Sequence, residues 1–200
     1  NIFYAWITLF ALIFIFYLPF NNSSLIWSFT FYKETLKTTG YLVSDNAINF
    51  WGLIFNFNKV DAGAIYFGLS LEVWGYGLFI MLIFPIILGF WKKKFNTERI
   101  LNLFFIVSAL YFLVLTRMHE RYLIPTIVLA TVLVMFKKRL YWINLIFLSI
   151  LHFINLYRGL LQPDIPILNV LIRSILFLDT LVLGYIILLG INVVNFFKDE

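Results

Sequence analysis

Two hundred residues, 62% of them hydrophobic and only 12% charged, exclude an ordinary soluble domain, in which about a quarter of residues carry charge. The net charge of +5 is not a nucleic-acid footprint, because the basic residues sit in short bridges between apolar runs, where membrane topology accounts for them. The absence of cysteine removes disulfides, thiol catalysis and thiolate metal sites, and two histidines argue against a multi-histidine metal centre.

The chain opens Asn1-Ile2-Phe3 and enters an apolar run at once, without the basic region and small-residue cleavage site of a signal peptide. This opening reads as the continuation of a longer protein, of which the sequence is expected to be the C-terminal part. Apolar runs predict an all-α fold, a polytopic transmembrane helix bundle of about six spans: 2–20, 74–91, 99–116, 122–136, 140–157 and 167–196. The first ends at Pro19 and the polar Asn21-Asn22-Ser23-Ser24. Segment 21–73 is the departure from a plain bundle. Its aromatic stretch from Leu25 to Leu36 suits a helix lying in the interface, and Asn46 to Phe57 reads as a second helix, with Ser44 or Asp45 as its N-cap. The fourth run is short for a perpendicular span, about 22 Å by helical rise, and the last is too long for a simple one.

Lysine and arginine set the expected orientation. Lys92-Lys93-Lys94 with Arg99 join the second and third runs, and Lys137-Lys138-Arg139 join the fourth and fifth. The positive-inside rule places both turns in the cytoplasm and residues 21–73, 117–121 and 158–166 outside, with the C-terminus inside.

Arg117-Met118-His119-Glu120-Arg121-Tyr122 puts four ionisable groups between two apolar runs. Taking such groups into hydrocarbon costs roughly 2.5 to 3.5 kcal/mol each. Two guanidinium groups and an imidazole make an anion receptor able to bind phosphate, with His119 also a proton carrier. Snorkelling arginines and an interfacial tyrosine would explain Arg117, Arg121 and Tyr122 but leave His119 and Glu120 without a purpose. His152 and Asn155 share a helical face near the same expected depth, with Arg158 just beyond and Arg173 on the last run. Each of these also fits a buried or snorkelling structural role. Asp179 is expected deeper in that run, facing a polar neighbour. Asn46 and Asn49, on one face if helical, stand beside Trp51 in a composition suited to a hydroxyl-rich ligand.

The pattern Asn46-Ala47-x-Asn49-Phe50-Trp51 followed by Met118-His119-Glu120-Arg121-Tyr122-Leu123-x-Pro125 resembles the polytopic glycosyltransferases of the GT-C superfamily. It is most similar to bacterial relatives of the GPI-anchor mannosyltransferases that add the second mannose, over roughly residues 40–136. The resemblance implies a membrane glycosyltransferase taking a sugar, in this family mannose, from a polyprenyl-phosphate donor to a glycan, lipid or protein acceptor outside the cytoplasmic membrane. It implies that Arg117, His119 and Arg121 hold the donor phosphate, and that Glu120 orients them. Tyr122, Asn46, Asn49 and Trp51, with His152, Arg158 and Arg173, would contribute to substrate binding. The general base is expected in an outward loop ahead of Asn1, so residues 1–200 are expected to form part of one glycosyltransferase domain and not to turn over alone. No cofactor is implied; a divalent cation is compatible with the chemistry, but no metal ligand is assigned. The rival readings are a lipid-linked sugar transporter, which needs a polar path across the membrane, and a non-catalytic membrane subunit.

Overall fold

In a computed structural model the chain is described over residues 41–92, 96–161 and 165–198. It divides into two compact units, Asn1–Tyr41 and Leu42–Glu200, and every helix below belongs to the second. The expected span 2–20 and the interfacial stretch 25–36 lie outside the described residues.

A two-residue strand, β1 (Ser44–Asp45), precedes the short helix α1 (Phe50–Ile54). A small antiparallel hairpin, β2 (Ile65–Tyr66) and β3 (Leu69–Ser70), leads into the long helix α2 (Leu71–Trp91). Ser70 caps α2 by accepting from the Val73 amide at 3.3 Å. Asn96 caps α3 (Thr97–Val114) in the same way, accepting from Arg99 at 2.7 Å. Beyond α3 come strand β4 (Met118–His119), a 3-10 turn at Glu120–Leu123, helix α4 (Ile124–Leu133) and another 3-10 turn at Val134–Phe136. Helix α5 (Arg139–Leu156) runs into a π turn at Tyr157–Leu161; α6 (Pro166–Arg173) and α7 (Ile175–Lys198) complete the order.

The chain is thus mostly helical, and among the described residues four helices are long and apolar enough to cross a membrane: α2, α3, α5 with its π turn to Gly159, and α7. The run 122–136 departs from the expected span. Its α-helix is only 10 residues, about 15 Å of rise, because both ends tighten into 3-10 turns and Lys137 stops it in a left-handed conformation at φ 58°. The run 167–196 is not one helix either. Ser174 adopts an extended ψ of 109°, and its hydroxyl accepts from the Phe177 amide, so it ends α6 and caps α7. Arg173 therefore closes a separate short helix, and Asp179 lies near the start of α7 rather than deep in a span.

Large apolar side chains face outward along α2, α5 and α7, Ile80, Phe84, Ile146 and Ile187 among them, as expected of surfaces that meet lipid. The core between helices is built on Phe105, Phe112, Leu148, Val182 and Tyr185. Several polar groups inside it are paired: Asn144 and Asn192 exchange amide hydrogen bonds at 2.8 and 2.9 Å, and the Tyr185 hydroxyl donates to the Ala109 carbonyl at 3.1 Å. Lys138 meets Glu98 at 2.9 Å, so the turn before α5 and the start of α3 lie at one end of the bundle. The candidate site lies at the other end of α3.

Candidate functional site

Just beyond the C-terminal end of α3, β1 and β4 pair in parallel, Ser44 opposite Met118 and Asp45 opposite His119. The Arg117 amide extends the pairing by donating to the Val43 carbonyl at 3.0 Å. Both strands are flanked by left-handed residues, Arg117 and Asn46, each at φ 59°. Asparagine takes that conformation readily, while an arginine held there stores backbone strain of about 1 kcal/mol or more. The two sequence motifs, about seventy residues apart, are therefore stitched together by backbone hydrogen bonds.

Several interactions hold the Asn46 segment in place. The Ile48 amide donates to Asn155 Oδ1 at 2.7 Å, linking it to the C-terminal end of α5. Asn49 is fully buried and caps α1 by accepting from the Gly52 amide at 3.1 Å. The Trp51 indole donates to the Val114 carbonyl at 2.7 Å, satisfying an acceptor at the end of α3. The expected helix from Asn46 is thus corrected: α1 starts at Phe50, its cap is Asn49 rather than Ser44 or Asp45, and Asn46 and Asn49 share no helical face. Asn49 and Trp51 act here as tethers to α3, and Asn46 is the member of this segment that reaches the cluster.

Around the strand pair the ionisable groups gather. His119 Nδ1 stands 3.5 Å from Asp45 Oδ2, and its ring packs edge-on against Tyr122 with centroids 5.6 Å apart. Glu120 follows in the 3-10 turn and is only 2% exposed. Its Oε1 lies 3.8 Å from Arg121 Nη1. Gly159 comes against the same place: a Cβ there would meet Asn46 Cβ at 3.3 Å and Glu120 Oε2 at 3.4 Å, so glycine permits the close approach of the π turn. His152 adjoins both the backbone and the carboxylate of Glu120. His152 Nδ1 and Asn155 Nδ2, one helical turn apart, are buried without a hydrogen-bond partner among the described residues.

The arginines divide. Arg117 Nη2 is engaged by Glu72 at 3.0 Å. The side chain of Arg121 is half exposed, lies over the Tyr122 ring at 5.6 Å, and stands on the wall of a groove of about 550 Å³. That groove runs between α3 and α4, lined by Phe104, Val107, Tyr111, Pro125 and Leu129. Arg158 stacks on Phe57 at 4.8 Å. Arg173 is exposed at the end of α6, and no hydrogen bond or ion pair ties it to the 117–122 turn. The structure thus brings together His119, Glu120, Arg121, Tyr122, Asn46 and His152, with Arg117 close by through the strand pair. It leaves Arg173 apart.

Sequence reasoning missed Asp45, Glu72 and Gly159 as members of this neighbourhood. Asp45 adjoins the first motif, but an aspartate before a helix-like run reads first as a cap. Glu72 carried no local signal, since its partner is 45 residues away.

Comparison with protein-family models, curated proteins and solved structures found no match to this chain.

Proposed function

We propose that the chain belongs to a membrane glycosyltransferase of GT-C type that moves a sugar, mannose in the favoured case, from a polyprenyl-phosphate donor to a glycan, lipid or protein acceptor. The site faces outward from the cytoplasmic membrane, the lysine-rich turns facing the cytoplasm. One observation carries this reading: the parallel pairing of Ser44–Asp45 with Met118–His119 gathers Asn46, His119 and Glu120 beside an apolar groove with Arg121 at its wall. A prenyl chain is matched by the groove, and a phosphate by the guanidinium. His119, steadied by Asp45, donates to a phosphate oxygen, and Glu120 holds Arg121 and His152 in place. As the bond between the anomeric carbon and the phosphate oxygen breaks, these donors stabilise the charge on the leaving phosphate, and the acceptor oxygen bonds to the same carbon. The acceptor's proton passes to the carboxylate base that the resemblance assigns to an earlier outward loop.

The test is transfer of labelled mannose from its polyprenyl-phosphate carrier by the full-length protein in membranes. Arg121→Gln should lower transfer by about 100-fold, the usual effect of removing one preorganised donor to a developing anion. Arg173→Gln, at the exposed end of α6, should leave it within a few-fold. Equal rates for the Arg121 variant and the parent would overturn the proposal. Binding of the carrier without transfer by the parent would move the reading to transport.

A further inference from the structure

The segment that enters α2 carries no charge from Ala62 to Leu71, between Asp61 and Glu72. Its hairpin turns at Phe67-Gly68, both at positive φ, 51° and 82°. That backbone joins two strands tightly, and its first position ordinarily takes asparagine, aspartate or glycine. Here the position holds a phenylalanine that is 96% exposed, with Ile65 on the same hairpin 75% exposed. Within the chain that side chain gains almost no burial for an unfavourable backbone.

The hairpin folds back along α2 instead of projecting from its end. The Trp74 indole donates to the Tyr66 carbonyl at 2.9 Å, and the Tyr66 and Phe55 rings pack with centroids 5.5 Å apart. Trp74 and Leu78 lie about 5 and 10 Å into α2 by helical rise. With Phe50, Phe55, Tyr66 and Phe67 they line an open hollow of about 330 Å³ that no charged side chain borders. The tip therefore stands beside the first two turns of a helix long and apolar enough to cross a membrane. From the same turns the exposed stripe of α2 runs on through Val73, Tyr76, Ile80 and Phe84. The apolar face of the hairpin is thus continuous with a surface that meets lipid.

We infer that the hairpin tip is seated in the bilayer beside α2, with lipid hydrocarbon filling the hollow. Its tyrosine and tryptophan suit the headgroup boundary, and Phe67 reaches below them. The seat also bears on the candidate site. The Val43 amide donates to the Val60 carbonyl at 2.8 Å, and the Arg117 amide donates to the Val43 carbonyl at 3.0 Å. The loop entering the hairpin is therefore bonded to the strand pair, and the depth of the tip sets the level of Asp45 and His119 against the membrane surface. The inference rests on α2 crossing the membrane and not on the transfer reaction.

The chain contains no cysteine, so a single one can carry a nitroxide without background. Phe67→Cys, Leu69→Cys, Ile80→Cys and Lys59→Cys are labelled in the full chain in phosphatidylcholine nanodiscs. Collision with oxygen, which enters hydrocarbon, is compared with collision with a water-soluble nickel chelate. At Phe67 and Leu69 oxygen should exceed nickel, as at Ile80, with a depth at Phe67 of about 5–10 Å below the headgroup boundary. At the exposed Lys59 nickel should exceed oxygen. Leu69→Cys keeps Phe67 in place and decides the matter if the two tip positions disagree. Nickel exceeding oxygen at the tip would put it in water, and poor access to both reagents would mean that protein covers it; either overturns the inference. Nickel exceeding oxygen at Ile80 would overturn the crossing of α2 and the inference with it.

Discussion

Replacing Asn155 by leucine tests whether the first motif is held by the far end of α5. Asn155 is fully buried, and its Oδ1 takes the Ile48 amide at 2.7 Å. Leucine keeps the approximate shape but leaves a buried backbone donor unpaired, which costs about 1–3 kcal/mol. The same change removes Asn155 Nδ2, itself buried without a partner among the described residues, and so recovers about 1 kcal/mol. The net cost is about 0–2 kcal/mol, centred near 1 kcal/mol, felt where Ile48 leaves the strand pair. Opening of residues 43–49 should then be about fivefold more frequent, since 1.4 kcal/mol is a factor of ten in an equilibrium constant. Hydrogen exchange followed by mass spectrometry, with the protein in nanodiscs, reads this directly. Peptides covering 43–49 should exchange about five times faster, while those from the middle of α7 keep the parent rate. Unchanged exchange in 43–49 would refute the argument, as would an equal acceleration throughout the chain.

Two further outcomes follow from polar pairs elsewhere. Asn144→Leu alone should destabilise the bundle by about 1 kcal/mol, and adding Asn192→Leu should restore most of it, because paired amides in a membrane contribute little beyond what an unpaired one costs; unfolding in mixed micelles measures both. Glu72→Gln should change stability by less than about 1 kcal/mol, since both partners of its bridge to Arg117 are about one-third exposed. On the proposed function it should also tighten binding of the polyprenyl-phosphate carrier several-fold by removing the carboxylate charge beside Arg117, measured by carrier titration against the parent and Arg117→Gln.

The long helices were legible because an apolar run of spanning length leaves few other structures open to the backbone. Run length marked the last run as too long for a simple span and the fourth as short, but it did not locate the break at Ser174, where one hydroxyl caps a second helix. Nor did it show the 3-10 ends and the left-handed Lys137 that shorten α4. In the first motif the local signals were degenerate: Ser44, Asp45, Asn46 and Asn49 are all competent caps, and tertiary bonds from Asn155 and the Met118 strand choose among them. The second motif stood out by charge alone. Its partnership with Asp45 did not, because two-residue strands carry no periodicity and their pairing is set by the helices between them.

Those helices give the strand pair a meaning beyond packing. Adjacent parallel strands need a long crossover, and here the crossover contains α2 and α3, both of membrane-spanning length. Two crossings return the chain to the side from which it started; one or three would leave His119 and Asp45 on opposite faces of the bilayer. The pairing is therefore a parity check on insertion. A nascent chain that inserts α2 without α3 would leave Asp45 and His119 on opposite sides, and would lose with them the bonds of α3 to Trp51 and Tyr185.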